Sequence, residues 1–295
     1  MARDPIVVVA ERPARLDAFV LAACPTLSRR LVRRLIDDGV VRVEGCPASR
    51  GARLARGARV TLPPVALDPE PDLAVPVCYV DEQVVVVDKP GGMPGHALDP
   101  RQRGTVAAFL AGRFPETAGL GDPLSSGLAH RLDTGTSGLQ IAARTPQAFA
   151  CLREAFRAGE VTKRYLAVVA GTPPAHAMID TPLAHDPRDR RRMIGATAGQ
   201  RAWPARTEVV RRTTGDGHAL VEATLCSGVT HQVRAHLADL GHPVLGDVLY
   251  GGPDVGLAAT RHALHASVLT LGSRFADVPR TESALPAELR ALLPR

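Results

Sequence analysis

His130-Arg131-Leu132-Asp133-Thr134-Gly135-Thr136-Ser137-Gly138-Leu139 sets one carboxylate between a basic residue and a glycine-rich turn. Gly135 and Gly138 permit backbone conformations and close approaches that a side chain forbids, and the short arm of Asp133 can project from such a turn toward a pocket. An isolated Asp-Thr-Gly is more commonly an ordinary turn or helix cap. Other segments of the chain separate the two readings.

Upstream, Val84 to Pro94 contains Asp88-Lys89-Pro90-Gly91-Gly92, and Gly127-Leu128-Ala129 leads directly into His130. Downstream come Thr162-Lys163-Arg164-Tyr165-Leu166-Ala167, then Thr230-His231-Gln232-Val233-Arg234-Ala235-His236-Leu237, then Gly241-His242-Pro243-Val244-Leu245-Gly246-Asp247. In this order the segments resemble the motifs of the RluA-type pseudouridine synthases, which isomerise uridine in RNA, and the resemblance spans 77–295. It implies an α+β fold, with a mixed, largely antiparallel central sheet flanked by helices and loops. It also implies an essential aspartate at Asp133, an active-site tyrosine at Tyr165 whose ring can stack on uracil, and an arginine at Arg131 that enters the RNA helix near the displaced base. Arg234, permanently charged, is the natural partner for Asp133: beside the carboxylate it favours the ionised form and orients it. Thr230 is the expected cap of its helix, with His231 one turn before Arg234 on nearly the same face. His130, Lys163, His231 and His236 are read as backbone-orienting or RNA-contacting residues, and His262 and His265 as structural. Both lysines of the chain, Lys89 and Lys163, fall inside matching segments. Two departures stand out: Thr134-Gly135 replaces a basic-acidic pair, and Val229 stands where such families carry an arginine.

The charge distribution fits a nucleic-acid partner. Residues 1–62 hold 12 arginines against 6 acidic residues, whereas 63–295 hold 24 basic and 24 acidic ones, so the whole surplus of +6 lies at the amino-terminal end. Within that end, Leu31, Val32, Leu35 and Ile36 recur at helical spacing between Ser28, a capping residue, and Gly39, a terminator. At about 100° per residue, Arg29, Arg30, Arg33 and Arg34 fall on the opposite arc and are the expected RNA contacts. A second amphipathic segment surrounds Leu16, Phe19 and Val20, and Val40–Val43 and Arg59–Leu62 read as short strands. With Arg15-Leu16-Asp17, Ser28-Arg29, Gly39-Val40 and Gly57, residues 1–62 resemble a small α/β S-four-like RNA-binding domain. Pro63, Pro64, Pro69, Pro71 and Pro76 mark 63–76 as a linker, leaving 77–295 as the catalytic domain.

In that larger part, Val84–Val87, Leu139–Ala143, Tyr165–Val169, Ala219–Leu225 and Val268–Leu271 have strand-like patterns, and Pro146–Ala158 and His231–Leu240 have helical ones. Arg188–Arg192 is a basic loop after Asp186-Pro187. No Gly-x-Gly-x-x-Gly turn or phosphate loop supports a nucleotide-cofactor fold. The reaction implied requires no cofactor and no redox agent. Cys24, Cys46, Cys78, Cys151 and Cys226 are odd in number and never spaced as Cys-x-x-Cys, so they read as reduced packing residues, and no metal is expected. Ile6–Ala10 is too short for a signal core, and no run approaches about 18 apolar residues, so a cytoplasmic protein without membrane partners is expected. The RNA is expected to be ribosomal, because S-four-like modules accompany large-subunit enzymes in this family, with transfer RNA as the alternative. An aspartic protease would need a second Asp-Thr-Gly or Asp-Ser-Gly, which the chain lacks. An RNA-binding assembly factor that has lost catalysis is the remaining alternative, and it would tolerate Asp133→Ala.

Overall fold

Runs of β-branched and small residues build the larger part of the molecule, which a computed structural model describes over 4–225 and 228–293. Val84–Lys89 and Ser137–Ala143 are buried almost throughout, as expected of strands covered on both faces, whereas His218–Leu225 alternates buried and half-buried positions, the pattern of a strand covered on one face. These strands belong to a nine-stranded sheet. Across it, the order is His176–Ile179, Thr207–Thr214, His218–Leu225, Thr162–Ala170, Leu264–Thr270, Ser137–Ala143, Val84–Lys89, Val77–Val80, with Thr281–Glu282 pairing Leu264–Thr270. Every pairing is antiparallel except that of Leu264–Thr270 with Ser137–Ala143, which aligns Ala266 with Gly138. The expected α+β architecture with a mixed, largely antiparallel sheet is therefore present.

That parallel pairing depends on Gly138. Its φ is +111°, and a Cβ there would lie 2.2 Å from the Ala266 carbonyl oxygen, so a larger residue would push the two central strands apart. The Pro146–Ala158 helix covers one face with the bounds its sequence predicts: Thr145 accepts from the Ala148 amide, Pro146 occupies the first turn and Gly159 terminates at φ +72°. Ala148, Leu152 and Ala155 pack there against Val84, Val86, Leu139 and Ile141. A second core contains Leu132, Tyr165, Val233, Leu237 and Leu264 and backs the segment that carries Asp133.

By their contacts, residues 73–95 and 128–295 form this compact unit, and 1–72 with 96–127 form another. The second grouping takes in 96–127, which the sequence division assigns to the larger part. In it, Leu16–Ala23 and Arg29–Asp37 are helices, and Ser28 accepts from the Leu31 amide at 3.2 Å. A four-stranded antiparallel sheet runs Ile6–Val9, Arg59–Leu62, Arg42–Val43, Cys46–Pro47. The proline-rich stretch has no helix or strand, but its first part is not a free tether: Glu70 bonds Arg103 and the Gly104 amide, and Pro71 packs on Gly112 of the Val106–Arg113 helix. Cys24 is buried, but Cys46, Cys78 and Cys151 are exposed and correct the reading of the cysteines as packing residues; Cys226 lies outside the described residues. No helix among the described residues is long and apolar enough to cross a membrane, and no group of three or more His, Cys, Asp or Glu side chains there could hold a metal ion.

Candidate active site

Asp133 lies where the chain leaves the core residue Leu132 and turns into the Ser137–Ala143 strand, and the turn is fastened from below by basic side chains. Lys89, fully buried, donates to the carbonyls of Pro90, Met93 and Thr134 at 3.0, 2.7 and 3.1 Å. Arg261 donates to the Gly135 carbonyl at 2.6 Å and to Ser137 Oγ at 2.8 Å, His262 Nε2 meets Thr136 Oγ1 at 2.8 Å, and His265 Nδ1 meets Ser137 Oγ at 2.9 Å. Gly135 is required by this packing: a Cβ would stand 2.4 Å from the Thr260 carbonyl oxygen and 2.7 Å from the His262 ring. Of the Thr134-Gly135 departure, the glycine thus has a local cause in this chain.

Above the turn is a cavity of about 380 Å³ lined by Asp133, Arg131, Tyr165, His231, Arg234 and Lys163 among others. Arg234 Nη1 donates to Asp133 Oδ2 at 2.8 Å, while its Nε and Nη2 hold Asp247 at 2.6 and 2.8 Å. Burial opposes ionisation of Asp133, but the pull of His231 and Arg234 outweighs it and holds the carboxyl below its ordinary value. Tyr165 is buried beside that charge, and both effects push its phenol up, so it remains protonated. Arg131 is exposed at the cavity. His130 accepts the Ile141 amide at Nε2 and stacks on Phe156 with centroids 5.0 Å apart, and Lys163 Nζ lies 5.5 Å from the centre of the same ring.

The helix carrying Arg234 runs Gln232–Asp239, and its cap differs from the expected Thr230. His231 occupies that position in the left-handed region, φ +57°, ψ +17°, with no side-chain cap bond. Such a conformation costs a side-chain-bearing residue about 1–2 kcal/mol, and here it accompanies an imidazole set between two partners. Tyr250 Oη accepts the Met193 amide at 2.8 Å and is hydrogen-bonded with His231 Nδ1 at 3.1 Å. Nε2 of the same ring lies 3.7 Å from Asp133 Oδ1. Burial, followed by the nearby Arg234 and Arg131, lowers the His231 pKa.

Other expected residues lie elsewhere. His236 is buried, with Nδ1 on Thr207 Oγ1 at 2.8 Å and Nε2 on the Thr181 carbonyl at 3.0 Å, so it braces the helix and does not reach RNA. Val229 packs with the cluster of Leu183, Met193, Ala235 and Tyr250. Arg29, Arg30, Arg33 and Arg34 are exposed on their helix in the other unit, opposite Leu31, Val32, Leu35 and Ile36, and Arg34 is engaged by Asp99 at 2.6 Å. Sequence reasoning misses Asp247 and Tyr250 as members of the site. Asp247 ends a quoted motif and Tyr250 is one of only three tyrosines, but nothing local shows that they converge on Arg234.

The fold and the site agree with what the motifs imply: a mixed, largely antiparallel sheet that sets a half-buried, arginine-held carboxylate in the wall of a cavity. Residues 83–239 match the family model for RNA pseudouridylate synthase. A Chloroflexus aurantiacus protein named uncharacterized RNA pseudouridine synthase is 38% identical over 99% of this chain and 93% of its own. Ribosomal large subunit pseudouridine synthase D of Xanthomonas campestris pv. campestris is 32% identical over 99% and 91%. Among solved structures, human RNA pseudouridylate synthase domain containing 4 aligns with a TM-score of 0.58 at 25% identity, covering 73% of this chain and 90% of that one. The chain belongs to the RNA pseudouridylate synthase family, within its RluA-type branch, and is an enzyme that isomerises uridine in RNA.

Proposed function

We propose that this enzyme converts uridine to pseudouridine in large-subunit ribosomal RNA, with Asp133 as the acting carboxylate, Arg234 as its partner and Tyr165 as the face on which the uracil stacks. The reaction breaks the N1–C1′ bond, turns the ring and forms C5–C1′; C5 then gives up its proton and N1 takes one up, so that product and substrate are isomers. A base inside paired or stacked RNA must first be extruded, at a cost of about a few kcal/mol. Arg131, exposed at the cavity, and Lys163, in its lining, offset that cost by contacting the opened strand. Asp133 then works as nucleophile toward the ribose or as base upon it; both roles need an ionised carboxylate with one oxygen open.

One observation carries the reading: Asp133 and Arg234 meet at 2.8 Å in the wall of the 380 Å³ cavity, with His231 Nε2 3.7 Å from Asp133 Oδ1. The ring of buried Tyr165 lines the same space. The ribosomal substrate is supported by relatives named ribosomal large subunit pseudouridine synthase D and by the basic Arg29–Asp37 helix, where Arg29, Arg30 and Arg33 offer charge to phosphate. Mapping pseudouridine in total RNA from cells with and without the gene tests both levels. At least one large-subunit site is expected to vanish on deletion and to return with the wild-type gene but not with Asp133→Asn, whose purified form is expected to lose a thousandfold or more in rate. A vanished site in transfer RNA would overturn the substrate. An active Asp133→Asn variant would overturn the role of the carboxylate.

A further inference from the structure

The cavity reaches from Asp133, Tyr165 and Arg234 to the second half of the Pro146–Ala158 helix, where Arg153, Phe156 and Arg157 line it. Spaced i, i+3 and i+4, these three share one helix face, beside the buried Leu152 and Ala155 that hold the helix on the sheet. Arg153 Nη1 donates to the Ala129 carbonyl at 3.2 Å, which ties its guanidinium to the chain four residues before Asp133. Arg157 has an ion pair with Glu154 of its own helix, with side chains 71% and 45% exposed. A pair of that kind contributes little in water, so it yields to a stronger partner. Lys163 joins the lining from the Thr162–Ala170 strand, its Nζ 5.5 Å from the centre of the Phe156 ring.

Charge on this side of the cavity has one sign. Asp133 is the only acid among the described residues of the lining and is held by Arg234, so the Phe156 side gathers Arg131, Arg153 and Arg157 without a second carboxylate in its wall. The Phe156 ring is already stacked by His130 and approached by Lys163, so this side offers cations where a base would need an open aromatic face. In RNA, the anion that accompanies every uridine is the phosphodiester, and arginine presents the planar fork that matches its oxygens. We propose that Arg153 and Arg157 form a phosphate subsite that takes one of the two phosphodiesters flanking the extruded uridine and so registers the strand against Asp133. The proposal rests on the reading of this cavity as the uridine site. Arg153 supplies the registration, because the carbonyl it grips belongs to the segment that leads into Asp133, and exposed Arg157 adds charge at the mouth.

A double-mutant cycle with a chemical change on the RNA side tests this in the full chain. The substrate is an RNA oligonucleotide spanning a uridine that the wild-type protein modifies, made with normal phosphates or with a neutral methylphosphonate on the 5′ or the 3′ side of the target. With wild-type protein, one of the two replacements should raise the half-saturating concentration in single-turnover experiments tenfold or more. Arg153→Gln combined with Arg157→Gln should raise it by a similar factor on normal RNA, with a smaller fall in the saturating rate and a slope of log affinity against log salt reduced by about one. On the sensitive methylphosphonate RNA the same variant should lose no more than threefold further, because the charge it would have met is gone. Losses that multiply in full at both positions overturn the proposal. So does an equal effect from Arg280→Gln, which removes an exposed arginine outside the cavity lining. A lowered melting temperature with unchanged half-saturation and salt slope would make the two arginines props of the helix and overturn it as well. Should the double variant fail to fold, Arg157→Gln alone decides: a threefold or greater rise that disappears on the methylphosphonate RNA supports the subsite, and a wild-type value overturns it. Asp133→Asn run alongside separates the two levels. If it is active, the reading of the site fails; if it is inactive while the arginine variants bind every RNA as wild type does, only the subsite fails.

Discussion

At the scale of the residue, Asp133 shows how a half-buried carboxylate is kept charged. Desolvation alone would raise its pKa, and the nearby Arg234 and His231 more than reverse that. Gly135 makes the complementary point, since its value lies in the side chain it lacks. A Cβ 2.4 Å from the Thr260 carbonyl oxygen meets backbone that cannot swing aside. Gly135→Ala should therefore destabilise the protein by about 1–3 kcal/mol and displace Asp133, read as a lower denaturant midpoint together with a lower turnover rate in the folded fraction. An alanine variant that melts and turns over as wild type would show that the Thr260 segment is free to move. Both roles are only partly legible in the sequence: the motif marks the turn, but Thr260 lies 125 residues further on and reaches Gly135 only through the fold.

At the scale of the element, the turn 133–137 is held chiefly by groups from the chain around Arg261 and from Lys89. Burial, with Arg234 nearby, pushes the His262 pKa down to about 4. The folded state refuses a proton that the unfolded chain accepts below about pH 6.5. Stability from this group is therefore complete above that pH and is lost as the pH falls toward about 4. The slope is at most about 1.4 kcal/mol per pH unit for one such group, and His231, His236 and His265 are shifted in the same direction. His262→Gln should flatten the acid side of a stability-against-pH curve from denaturant melts by up to one proton's worth; an unchanged slope would mean that His262 is protonated in the folded protein. Elements with local signals are readable: Pro146–Ala158 carries its own cap, first-turn proline and terminal glycine. The Leu264–Thr270 strand is only half visible, because His265 and Ser267 are polar residues buried by tertiary partners. The cap of the Gln232–Asp239 helix falls at His231 and not at Thr230, because the left-handed turn at His231 has no sequence signature of its own.

At the scale of the whole molecule, charge and chemistry are segregated along the chain. The surplus of +6 resides entirely in 1–62, and the Arg29–Asp37 helix displays part of it. Replacing Arg29, Arg30 and Arg33 together by glutamine should weaken RNA binding and reduce the slope of log affinity against log salt by about one for each phosphate no longer neutralised. Filter binding across a salt series measures both, and an unchanged slope would remove this helix from the RNA interface. Arg34 is left in place in that variant because its ion pair with Asp99 gives it a structural partner.

The order of the motifs, through the resemblance they carry, pointed to the family and the mixed sheet and marked Asp133, Tyr165 and Arg234 as the candidate site, since each sits in a short stretch whose residues are neighbours in the chain. Only the tertiary structure decided how Arg234 is divided between Asp133 and Asp247, that Tyr250 meets His231, and that 96–127 groups with the amino-terminal residues. The physical reason is range. Turn, cap and periodicity preferences act over a few residues and leave their mark on composition, whereas hydrogen bonds between side chains 101 positions apart, such as Arg234 to Asp133, depend on where the folded backbone brings them.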